Sequence, residues 1–120
     1  MIARLWHGVT AAGAADAYVG YLTETGIRDT VATPGNAGLL VLRRREEAHA
    51  HFLFTSFWES EEAIRRFAGA DIERAVYYPR DREFLESFEP TVAHYEVVER
   101  TSARPPDRVE AYRRILRPLA

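Results

Sequence analysis

Leu39-Leu40-Val41-Leu42-Arg43, then Glu46-Glu47-Ala48, then Ala50-His51-Phe52-Leu53-Phe54-Thr55-Ser56-Phe57 is the stretch that decides the fold. Two runs rich in branched and aromatic residues, joined by a short charged bend, read as an antiparallel hairpin. The first run is too apolar for a strand with one wet face, so cover on both faces is expected. Turn chemistry at Pro34-Gly35-Asn36-Ala37-Gly38 leads into it. Upstream, Ile2 to Thr10 alternate with near period two and stop at Ala11-Ala12-Gly13, a first strand. From Ala14 the period becomes helical: Ala15, Tyr18, Val19 and Leu22 form a stripe, and Gly26 suits a left-handed C-terminal cap.

Downstream of the hairpin, Ser60 can cap a helix whose first turn carries Glu61 and Glu62, where carboxylates favour the helix dipole. Ala63, Ile64 and Phe67 supply its buried stripe until Gly69. Asp71 is expected to cap a short helix from Ile72 to Tyr77, closed by Pro79. A further helical piece is expected from Asp81 to Phe88, with Phe84, Leu85 and Phe88 on one face and Pro90 ending it. Thr91 to Val98 is the last strand.

The order β-α-β-β-α-β matches the ferredoxin-like plan, an α+β fold with a four-stranded antiparallel sheet and helices on one face. Leu39 with Leu40, and Phe52 with Leu53, place apolar side chains on both parities. Covering the second sheet face with another copy of the chain is the simplest solution, so a two-fold homodimer is expected.

The chain has 120 residues, one domain's worth. Residues 1–100 form the domain, and 101–120 lie outside the plan. There Arg104-Pro105-Pro106 reads as a stiff linker, and Asp107 caps an amphipathic helix with Val109, Tyr112, Ile115 and Leu116 on one face and arginines on the other. Docking on its own dimer is the expected role of that helix, and binding a membrane surface or an acidic partner is the alternative. No apolar run approaches the roughly 20 residues of a membrane span, and no signal pattern opens the chain, so a cytoplasmic protein without a membrane partner is expected.

Cysteine is absent, which removes disulfides, thiolate nucleophiles and zinc-thiolate or iron–sulfur sites. All 16 cationic side chains are arginine, so neither a Schiff-base lysine nor a phosphate-loop lysine exists. A net charge of −2 argues against a nucleic-acid partner, which needs a positive field over a whole face. Gly-x-Ser-x-Gly, Gly-x-Gly-x-x-Gly and His-Glu-x-x-His are all missing, so any chemistry rests on dispersed residues. Arg43-Arg44-Arg45 beside Glu46-Glu47 reads as a self-neutralising hairpin tip.

His7, His94 and His51 fall on strands that the plan makes neighbours, so a three-histidine metal site is conceivable. It requires all three on one face, no fourth ligand is evident, and no metal is expected. The aromatic residues are the richer signal. A helix-on-sheet layer holding this many rings can enclose a flat ligand, with tyrosine hydroxyls and histidines as its polar anchors. Core packing accounts for most of the phenylalanines. Trp6, Tyr77 and Tyr78 each carry a polar atom that wants a partner, and they stand apart for that reason.

Pro34-Gly35-Asn36-Ala37-Gly38, followed by Phe57-Trp58-Glu59-Ser60-Glu61-Glu62-Ala63 and then Phe67, resembles the antibiotic biosynthesis monooxygenase (ABM) domains of the dimeric α/β-barrel superfamily, over residues 1 to about 100. The resemblance implies a homodimer whose sheets close a barrel, with a pocket in each protomer between sheet and helices. It also implies either a cofactor-independent monooxygenase acting on a planar aromatic or polyketide-like molecule, or a ligand-binding module without turnover. A third branch degrades haem with an Asn, a Trp and an iron-ligating His. The positions corresponding to them here are Trp6, Phe67 and Tyr77, so no cofactor is expected and haem is the disfavoured alternative. On this reading Trp6, Phe67, Tyr77 and Tyr78 bind the ligand. Tyr77 is the polar anchor and, with His94, the catalytic candidate, while strand parity turns His7 to the opposite face.

Overall fold

The computed structural model describes residues 1–103; the linker and helix expected from Arg104 onward lie outside the described residues. Strands β1 (Ile2–Ala11), β2 (Asn36–Glu46), β3 (His49–Trp58) and β4 (Ala93–Glu96) form one antiparallel sheet in the order β2-β3-β1-β4. This is the ferredoxin-like arrangement, with the helices on one face.

The hairpin is as expected. Glu46 pairs with His49, and Glu47 takes a left-handed φ of 54° to make the bend. At the other end of β2, Gly35 has φ +93°, and a Cβ there would fall 2.4 Å from that of Ala63. The Pro34-Gly35 turn can therefore lie against helix α3 (Glu61–Ala68) only because residue 35 is glycine. Asn36 secures the turn exit by donating from Nδ2 to the Phe57 carbonyl at 3.0 Å. Helix α3 begins as the sequence predicts, with Ser60 Oγ accepting from the Ala63 N–H at 3.2 Å, and Gly69 ends it at φ +90°.

The first helix differs from its expected end. Helix α1 (Ala15–Leu22) runs through a π turn, Thr23–Ile27, into helix α2 (Arg28–Ala32). Gly26 lies inside this run and faces the core, 3.6 Å from the Phe54 ring when given a Cβ, so it serves close approach and not capping. Thr23 and Thr25 donate to the carbonyls four residues back, Val19 and Tyr21, at the widened turn. The buried stripe is Ala15, Tyr18, Tyr21 and Leu22, with Val19 half-buried.

The two short helices expected after Gly69 do not form as such. Around Ile72–Ala75 the backbone groups are taken by tertiary partners: Val92 N–H donates to the Glu73 carbonyl and Ala75 N–H to the Pro90 carbonyl, while Arg4 takes the carbonyls of Ile72 and Arg74. A helix would need those same groups for itself. Asp71 still caps a single turn, its Oδ1 accepting from the Glu73 N–H at 3.1 Å. Of the piece from Asp81 to Phe88 only a 3₁₀ turn, Asp81–Glu83, is helical, because the Glu86 N–H is drawn to the Val9 carbonyl on β1. The last strand is likewise shorter than Thr91–Val98.

Two aromatic-centred clusters fill the space between helices and sheet. One gathers Trp6, Tyr18, Tyr21, Leu22 and Phe52, and the other gathers Trp58, Ala63 and Ile64. On the opposite sheet face Leu40 is 54% exposed, Leu42 49% and Tyr95 59%, so within one chain the doubly apolar strands keep one face uncovered.

Candidate functional site

Alternate residues of β1, from Arg4 through Trp6 to Thr10, point toward the helices and are buried. The Trp6 indole lies back over Gly8, where a Cβ would come 2.1 Å from the ring. Glycine two residues on is what lets the ring lie flat along its own strand. Between this row and the helical layer is a cleft walled by Trp6, Leu22, Phe54, Phe67, Val76 and Val92. Its cavity volume is about 50 Å³, within about 500 Å³ of atom-free space that includes the part open to solvent. The interior is small, and the polar groups reaching it are few: Arg4, Ser56, Tyr18, Tyr78 and Asp81.

Arg4 and Asp81, each 4% exposed, are the charged members. The Arg4 guanidinium donates to the carbonyls of Ile72 and Arg74 (2.8 Å to the latter) and to His94 Nε2 at 3.1 Å. Burial pulls its pKa down to about 10, opposed by the charge of Glu73, and it is still a cation at neutral pH. Asp81 Oδ2 accepts from the Tyr78 N–H at 2.6 Å. Burial pushes the Asp81 carboxyl above the usual carboxylate range, with that hydrogen bond opposing. The Tyr78 hydroxyl donates to Asp29 Oδ2 at 2.8 Å, and both burial and that bond raise its pKa. Tyr18 is raised too, by burial and then by the Asp81 charge.

Of the residues singled out from the sequence, Trp6, Phe67 and Tyr78 come together around this cleft. Tyr77 does not line it; Val76 and Tyr78 on either side do. Because the segment is extended where a helix was expected, its side chains alternate. The Tyr77 hydroxyl accepts from Trp6 Nε1 at 3.2 Å and donates to the Glu89 carbonyl at 2.6 Å, so the ring braces the back of Trp6. His94 sits behind Arg4 and outside the lining. Since Arg4 can only donate, His94 Nε2 is the acceptor and the proton is on Nδ1, 3.6 Å from Glu73 Oε1. Burial and then Arg4 lower the His94 pKa, leaving it neutral at pH 7.

The three-histidine arrangement is not formed, because the register sets His94 opposite Arg4, on the helix side, and His7 on the other face. There His7 Nε2 and His51 Nδ1 are 3.0 Å apart with ring centroids at 5.3 Å, an edge-to-edge pair sharing one N–H···N bond, with Glu89 at His7 Nδ1. Among the described residues no group of three or more ligand-type side chains is arranged to hold a metal ion. Sequence reading missed Arg4, Tyr18 and Asp81. Parity with Trp6 was the available signal for Arg4, and nothing in the local sequence marks Asp81 as buried.

A four-stranded ferredoxin-like sheet with an aromatic-walled cleft under its helices defines the class of fold. A family model for antibiotic biosynthesis monooxygenase matches residues 9–76, more than half of the chain, and the chain belongs to the ABM family. Among solved structures it is similar to a candidate antibiotic biosynthesis monooxygenase of Bacillus cereus, at TM-score 0.59 and 18% identity, covering 85% of this chain and 97% of that one. A second candidate, from Nitrosomonas europaea, aligns at TM-score 0.59 and 12% identity over 82% of this chain and 100% of that one. The haem degrader MhuD of Mycobacterium tuberculosis, with two haems in its active site, aligns at TM-score 0.56 and 16% identity over 85% of this chain and 100% of that one. At these identities the likeness is one of fold. No curated protein matches the sequence.

Proposed function

We propose that the cleft binds a planar, hydroxylated aromatic or polyketide-like molecule and oxidises it with dioxygen without a cofactor. The observation that carries this reading is the cleft itself: walled by the aromatic rings of Trp6, Phe54 and Phe67, and furnished with Asp81 as a buried carboxylate. A methylene flanked by rings and a carbonyl is acidic enough to lose a proton to such a base. The resulting anion gives one electron to dioxygen, the two radicals join in a C–O bond, and the hydroperoxide loses water. The balance is CH₂ + O₂ → C=O + H₂O, with no outside reductant. Asp81 takes the proton, the walls orient the ring, and Tyr77 holds Trp6 in place through its hydroxyl.

Haem fits the described residues poorly. His7 and His51 lie on the other sheet face, the acceptor nitrogen of His94 is taken by Arg4, and the Tyr77 hydroxyl is bonded on both sides. A one-to-one end point with a shifted Soret band on haem titration would contradict this. The uncovered sheet face, with Leu40, Leu42 and Leu53, supports the further proposal that the protein is a homodimer.

Oxygen uptake with a hydroxylated anthrone tests the activity. Saturable uptake of one dioxygen per substrate, strongly reduced in Asp81→Asn, is expected. Tight binding without uptake would make the protein a binding module, and neither binding nor uptake would end the proposal.

A further inference from the structure

Arg4 combines two properties that the fold alone does not require. It is a buried cation, and among the described residues it makes no direct ion pair, the charge of Glu73 acting on it from beyond His94. A buried charge without a directly paired counter-ion is costly unless something else offsets it. The carbonyls of Ile72 and Arg74 offset part of that cost and clamp the 72–74 segment to the sheet, which is its structural role.

Of the five N–H groups of a guanidinium, Nη1 uses both of its own on the Ile72 carbonyl and His94, and Nη2 uses one on the Arg74 carbonyl. Among the described residues Nε–H and one Nη2–H are left without a partner. Nε–H lies on the edge of the guanidinium that grips a carboxylate with two parallel bonds when the Nη2–H beside it is also free. Among the described residues the fully sealed, unpartnered side-chain atoms are Thr30 Oγ1, Ser87 Oγ and His94 Nδ1. Arg4 Nε is not one of them, and Arg4 lines the cleft.

We propose that Arg4 is the anion receptor of the cleft and that the ligand is a planar aromatic carrying a carboxylate, which docks on the free edge of that guanidinium. This rests on the aromatic-ligand reading above and narrows it. Asp81 enters the same cleft beside Tyr78, among partners that Arg4 does not share, and its charge repels an anion from that part. The ligand is thereby held one way round, with its carboxylate at Arg4 and its acidic C–H or hydroxyl toward Asp81.

Calorimetric titration at pH 7 with 2-naphthoate and its neutral isostere 2-naphthamide tests this. A charge-assisted, two-pronged contact predicts that wild type binds the naphthoate about tenfold or more tightly than the amide. Arg4→Gln should bring the two within about threefold by weakening the naphthoate alone, with Arg4→Lys between. Asp81→Asn, which leaves the Arg4 clamp untouched, should tighten naphthoate and leave naphthamide unchanged; this variant decides if Arg4→Gln fails to fold. Equal wild-type affinities for the two probes overturn the role of Arg4 and leave the aromatic cleft standing. Binding of neither probe overturns both.

Discussion

Replacing Tyr77 by Phe removes one oxygen that in the structure has two partners, Trp6 Nε1 at 3.2 Å and the Glu89 carbonyl at 2.6 Å. The ring still fits, edge-on to Trp6 with centroids 6.2 Å apart, so no cavity larger than the oxygen is made. Trp6 is buried, so its indole N–H is left without an acceptor, at a cost of about 1–3 kcal/mol. Glu89 is on the exposed side, and its carbonyl regains water at little cost. A net loss of about 1–2 kcal/mol is expected, which in a domain of this size lowers the melting temperature by roughly 4–8 °C. Since Tyr77 lies outside the cleft lining, affinity for 2-naphthoate should change by less than about twofold. Thermal melts and calorimetry on the same preparations measure both quantities. An unchanged melting temperature together with about tenfold weaker ligand binding would refute this reasoning and restore the hydroxyl as a ligand anchor.

Gly8→Ala forces the Trp6 ring off its strand, since the new Cβ would lie 2.1 Å from it; a loss of about 2–3 kcal/mol by denaturant titration and a shifted tryptophan emission are expected. Ser60→Ala removes the α3 cap and should cost about 1 kcal/mol in the same titration, with ligand affinity unchanged. His94 has a folded pKa below its unfolded value, so the unfolded chain binds its proton first as pH falls. The contribution of His94 to stability is therefore full above about pH 6.5 and declines below it, and His94→Gln should flatten that part of the stability curve relative to wild type. Asp81, with its raised pKa, acts in the opposite sense: Asp81→Asn should stabilise the protein most at neutral pH, where the buried carboxylate is charged. Sedimentation equilibrium should give a dimer for wild type and a monomer for Leu53→Glu; a wild-type mass of 13.7 kDa at every concentration contradicts the dimer.

The strands and α3 were legible because each is specified locally: period-two runs, a charged bend, Ser60 three residues before the N–H that it caps. Trp6 and His7 on opposite faces followed from parity alone. What could not be read was decided by residues far apart in sequence. Gly26 has the chemistry of a cap, yet the Phe54 ring on the sheet beneath it gives it a different use. Ile72 to Tyr77 has helical spacing, yet Arg4, 68 residues away from Ile72, and the strand pairing near Val92 take its backbone groups. Reading that segment as helix put Tyr77 in the pocket wall, whereas its extended form gives the wall to Val76 and Tyr78. Asp81 looks like any surface charge in the sequence and only tertiary burial marks it, whereas for Arg4 the one signal was its parity with Trp6.

The cleft as the ligand site is tested most directly by following the two tryptophan side-chain N–H resonances during titration with 2-naphthoate, the Trp6 signal being assigned through Trp6→Phe. Trp6 walls the cleft and bonds outward to Tyr77, while Trp58 is sealed in the second cluster and donates to Ser56 Oγ at 2.8 Å. The Trp6 resonance should move saturably and further than that of Trp58, together with the backbone signals of Phe67 and Tyr78. Saturable shifts confined to Leu40, Leu53 and Tyr95 on the opposite sheet face, with Trp6 unmoved, would contradict the account.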